Sequence, residues 1–94
     1  MEYKIEASKR NKKFIEAILP SMFKQLNLEN SKRVLLIRVA DECGTNQGTT
    51  MDLGVNLGIV VVIKPHRHLK DIGLTLAHEM VHVKQLAKGQ LKTR

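Results

Sequence analysis

His78, Glu79 and His82 are the residues of this chain whose types and spacing could do chemistry together. Histidines four residues apart on a helix project from one side, about 40° apart, so their imidazoles can share one ion. Zinc suits such a pair, because it takes imidazole nitrogen in tetrahedral geometry. Glu79 lies about 60° further round from His82 in the same projection, a position suited to reaching a water on the ion rather than the ion itself. A bound Zn²⁺ lowers that water's pKa towards ~7, and a carboxylate beside it can take the proton. The trio therefore reads as two neutral metal ligands, His78 and His82, and one general base, Glu79. A random arrangement of the 4 His and 6 Glu in the 94 residues would give this spacing in roughly one chain in a hundred. The bland alternative is a surface His pair that only forms hydrogen bonds.

A helix must carry the trio, and the flanking pattern supplies one from Leu69 to Lys88. Leu69, Ile72, Leu76, Met80, Val83 and Ala87 fall within an arc of about 80°, the face expected to pack on a sheet, while Lys70, Lys84 and Lys88 lie elsewhere, towards water. Gly89 then offers a left-handed cap. Before this helix, Ile59-Val60-Val61-Val62-Ile63 reads as a strand buried on both faces, in the middle of a small sheet, and Pro65 stops it. Val34 to Val39 reads as a second strand, Gly44 to Gly48 as a turn or loop, and Thr49 to Leu53 as a third strand. Near the amino end, Phe14, Ile15, Ile18, Leu19, Met22, Phe23 and Leu26 recur at three- and four-residue spacing, which predicts an amphipathic helix from Lys9 to Leu26, kinked or broken at Pro20.

Composition narrows the classes. Ninety-four residues, 43% hydrophobic and 27% charged, make one globular domain. Aromatic residues are 3%, with no Trp, which leaves almost no material for base-stacking platforms. Cys43 is the single cysteine, excluding an intrachain disulfide and a zinc site built mainly of thiolates. With no secretory signal and no apolar run near the ~20 residues of a membrane crossing, the expectation is a soluble cytoplasmic protein with no membrane partner. The net charge of +7 is uneven: Val39 to Ile63 holds no Lys or Arg and carries −3 from Asp41, Glu42 and Asp52, so the two ends carry +10. Those ends either attract nucleic acid or are solvated Lys faces that maintain solubility; without a nucleic-acid motif the second reading is preferred.

The run Thr75-Leu76-Ala77-His78-Glu79-Met80-Val81-His82-Val83-Lys84-Gln85 resembles the active-site helix of the zincin metallopeptidases, particularly the small SprT-like and minimal gluzincin-type proteins, some of them phage-encoded. The close likeness spans Ile72 to Leu86; the preceding elements agree in order only. It implies a zinc cofactor on His78 and His82, Glu79 as general base, and a protein or peptide substrate held by strand addition at the sheet edge beside the helix. The chain departs from that family at one point. The third ligand there is a Glu or His downstream of the helix, and Val83 to Arg94 contains no His, Glu, Asp or Cys. Either the domain is a truncated or degenerate member, or a ligand comes from His66, His68, Cys43, Asp52 or a second chain. His66 and His68 lie far along the axis from His82 at ~1.5 Å per residue, which disfavours them.

The resulting expectation is an α+β, minimal zincin-like single domain over residues 1–94: an N-terminal helix, a small mixed sheet of about three strands and a C-terminal zinc-binding helix. Its expected activity is zinc-dependent peptide hydrolysis; the rival is a catalytically inactive zincin-like module that binds a protein or nucleic acid.

Overall fold

The computed structural model describes residues 1–41, 46–54 and 56–89. Two helices and a four-stranded mixed sheet follow one another as β1 (Glu2–Glu6), α1 (Lys9–Gln25), β2 (Val34–Val39), β3 (Gly48–Asp52), β4 (Ile59–Ile63) and α2 (Leu69–Ala87). The sheet order is β1-β2-β4-β3. β1, β2 and β4 are parallel, and β3 closes one edge antiparallel to β4.

One strand more than expected is present. β1 escapes a hydropathy reading because Glu-Tyr-Lys-Ile-Glu places a single core residue, Ile5, among charges. Such a pattern suits an edge strand with one side turned to water. β3 begins at Gly48 and ends at Asp52, one residue earlier at each end than the composition suggested.

β4 is buried along its whole length between β2 and β3, as its unbroken apolar run predicts. Ile59, Val61 and Ile63 join Leu35, Ile37 and Ile5 on one face. Both helices meet that face: Ile15, Leu19 and Phe23 from α1, and Ile72, Leu76, Met80 and Val83 from α2, belong to the same core. Burial of these side chains, at roughly 25 cal/mol per Å² of apolar surface, is what holds helices and sheet together. α1 begins on Ser8, whose hydroxyl accepts from the Asn11 N–H at 3.3 Å. It runs through Pro20 as one helix, without the expected break. The ring removes one backbone bond, to the Glu16 carbonyl, and Pro20, Glu16 and Ala17 are all exposed, so water can replace it. α2 ends as predicted, with Gly89 at φ 67° donating to the Leu86 carbonyl.

Candidate metal and hydrolytic site

The site is built where α2 lies against the edge strand. Leu76, Met80 and Val83 anchor the helix in the core, and this fixes the rotation of the residues between them. His78 is exposed and His82 half-buried, side by side on the outer part of the helix. Their ring centroids are 5.3 Å apart with planes at 83°. Two imidazoles on one tetrahedral zinc, with Zn–N of ~2.0–2.1 Å and about 109° between bonds, would place ring centres roughly 5 Å apart, so the pair is spaced to fit the ion. His82 Nδ1 lies 3.4 Å from Gln85 Oε1. A hydrogen on Nδ1 directed at this oxygen would leave Nε2 free to ligate.

Glu79 turns towards β3 and is 6% exposed. A carboxylate so buried needs a donor, and β3 supplies one: the Thr50 hydroxyl donates to Glu79 Oε1 at 2.7 Å. Gly48, two residues earlier, makes the close approach possible. A Cβ there would lie 3.0 Å from Thr75 Cγ2, 3.1 Å from Glu79 Cγ and 3.2 Å from Glu79 Oε2. Beside these atoms opens a groove of about 360 Å³, whose lining includes Gln47, Gly48, Leu74, Thr75, His78 and Glu79.

The edge of β3 faces outward at the same residues. Backbone bonds from Leu53 N to Gly58 O, 2.9 Å, and from Lys64 N to Gln47 O, 2.8 Å, together with the register, make Gln47, Thr49, Met51 and Leu53 the residues that bond to β4. In an antiparallel ladder the alternate residues then turn their N–H and C=O away from the partner. Those are Gly48, Thr50 and Asp52, and no strand pairs with that edge among the described residues.

The expected ligand pair and base are thus brought to one part of α2, whereas no proposed third donor among the described residues is brought to the His pair. Among the described residues no group of three His, Cys, Asp or Glu is placed to hold a metal. Asp52 is occupied elsewhere, in an ion pair with Arg33 and accepting from the Gly54 N–H at 2.9 Å. These contacts, the Arg33 hydrogen bond first, hold its carboxyl below the ordinary aspartate range. His68 is the exposed N-cap residue of α2, and His66 precedes it, half-buried with Nε2 lacking a hydrogen-bond partner. Cys43 lies outside the described residues. Thr50, Gly48 and Gln85 are the contributors that sequence reading did not assign; only the Thr-rich β pattern beside a glycine hinted at the first two.

No protein-family model, curated protein or solved structure matches the chain. No helix among the described residues is long and apolar enough to cross a membrane.

Proposed function

We propose that this domain is a minimal zincin-like metallopeptidase unit that binds Zn²⁺ through His78 and His82 and hydrolyses peptide bonds with Glu79 as general base. The observation that carries the reading is the pair of imidazoles 5.3 Å apart beside a buried carboxylate on the same helix. The ion would act as a Lewis acid on a substrate carbonyl and make water acidic at neutral pH. The chain's own groups do the rest. The outward N–H and C=O of Gly48 and Thr50 would bind an extended peptide as an added strand, which sets its backbone along the groove that Glu79 lines. Glu79 would accept the water's proton and later pass it to the leaving amine. In this reading the exposed lysines of α1 (Lys9, Lys12, Lys13 and Lys24), Lys70 of α2 and Lys88 just after it are a solvated surface rather than a nucleic-acid contact, and the protein works in the cytoplasm.

A second reading has a specific observation in its favour. With two imidazoles and no third donor beside them among the described residues, the domain would act as an inactive zincin-like binding module. Zinc titration against a competing chelator, run beside a casein cleavage assay, separates the two. The native chain is expected to bind one Zn²⁺ and the His78→Ala, His82→Ala double variant none; equal zinc in both proteins sinks the site. Two side-chain ligands forfeit the chelate closure of a third, so the chain alone is expected to hold zinc more weakly than a three-ligand site and to cleave little until a partner or a longer chain supplies the third ligand. Tight binding with robust, chelator-sensitive cleavage would show that a third donor is already in place.

A further inference from the structure

Resting on the peptidase reading of Glu79, we infer that Thr50 is a positioning residue for that base: its hydroxyl holds one carboxylate oxygen so that the other is presented beside Gly48. An ionised carboxylate only accepts hydrogen bonds, so the 2.7 Å contact must be donated by Thr50. The same hydroxyl lies 3.4 Å from the Glu79 backbone carbonyl, a contact too long to compete. Oε1 is thereby committed to β3. Oε2 sits where a Cβ of residue 48 would come within 3.2 Å, and glycine leaves that approach clear.

The arrangement fixes a side chain that would otherwise be mobile. Glu has three rotatable side-chain torsions, and ordering them has an entropic cost that the Thr50 hydrogen bond offsets. Leu76, Met80 and Val83 hold the helix but not the carboxylate, which projects past them to the strand. Thr50 also presents its own N–H and C=O outward at the edge, so one residue would bond substrate through its backbone and orient the base through its side chain. The distance from edge to base is then set within a single residue.

The test compares the native protein with Thr50→Val, which keeps the shape and removes the hydroxyl, and Thr50→Ser, which restores it. Three-bond couplings across the Glu79 side-chain torsions, measured by NMR on the metal-free protein, are expected to report one rotamer in native and Thr50→Ser, and averaged values in Thr50→Val. Casein-peptide cleavage with Zn²⁺ present is expected to lose about 10–100-fold in kcat in Thr50→Val, with KM unchanged, and to recover in Thr50→Ser. Gly48→Ala should lower kcat similarly by crowding Oε2. Unchanged couplings in Thr50→Val overturn the proposal, as does averaged coupling with undiminished kcat. If the native chain cleaves too slowly for a kcat to be measured, as two side-chain ligands lead one to expect, the couplings alone decide: one rotamer in native and averaging in Thr50→Val upholds the proposal, and unchanged couplings overturn it.

Discussion

α1 and α2 cover the same face of the same sheet, yet they use their buried positions differently. α1 presents Ile15, Leu19 and Phe23 to the core, and its one buried polar residue is Asn11, whose Oδ1 has no hydrogen-bond partner. α2 presents Ile72, Leu76, Met80 and Val83, and its buried polar residue is Glu79, met by the Thr50 hydroxyl. A charge is harder to bury than an amide, so the helix carrying the more costly group is the one that has recruited a strand to satisfy it. The comparison separates a cover from a platform: α1 needs to be apolar on one side, whereas α2 must also hold Glu79 against β3.

The largest effect should fall equally on both helices. Leu19 and Leu76 are each fully buried in the common core, so Leu19→Ala and Leu76→Ala should each lower unfolding stability by about 2–5 kcal/mol, through lost transfer energy and the cavity left behind. Urea melts followed by circular dichroism measure this. A loss confined to one variant would show that the helices do not share one cooperative core.

The second prediction breaks the symmetry. Glu79→Gln keeps the side-chain shape and can still accept from Thr50, but it cannot take a proton from water. Stability should change by less than about 1 kcal/mol, zinc binding should persist, and any hydrolysis should vanish. Cleavage at the native rate would remove Glu79 from the mechanism. Asn11→Leu in α1 should instead raise stability by about 1 kcal/mol, because it removes an unsatisfied buried acceptor; a clear loss would mean that Asn11 has a partner of its own.

Much of this division was legible in the residues. The 3.6-residue spacing of Ile72, Leu76, Met80 and Val83 located α2 and its inward face, and the all-apolar Ile59 to Ile63 located the central strand. His78, Glu79 and His82 share the helix as their spacing requires. What could not be read is the part that depends on pairing between distant segments. β1 was invisible because an edge strand with one core residue has too little hydrophobic signal. Thr50 and Gly48 were unassigned because their roles arise only when β3 lies antiparallel to β4 and against α2, a register no local pattern encodes. Of the kink or break expected at Pro20, the break is absent, since a proline on the exposed side can leave a helix continuous.

The smallest effect lies farther along the same edge strand, at Asp52, and it sharpens the contrast between the two carboxylates on the α2 side of the sheet. Glu79 is buried and held by a neutral hydroxyl, whereas Asp52 is exposed and held by the Arg33 guanidinium and the Gly54 N–H. Because these contacts favour the ionised form, the folded-state pKa of Asp52 is lower than in the unfolded chain. The folded protein therefore binds this proton less readily, so the pair's stabilisation is present above the unfolded value, ~3.9, and is lost as pH falls through the lower folded value. Solvent screening keeps an exposed pair to a few tenths of a kcal/mol, at most about 1. Asp52→Asn should accordingly cost about that much at pH 7 and nothing measurable once the pH lies below the folded pKa, which paired urea melts of native and variant across that range would show. A loss of several kcal/mol at neutral pH, or the same loss at both ends of the range, would mean that Asp52 does something for the fold beyond this ion pair.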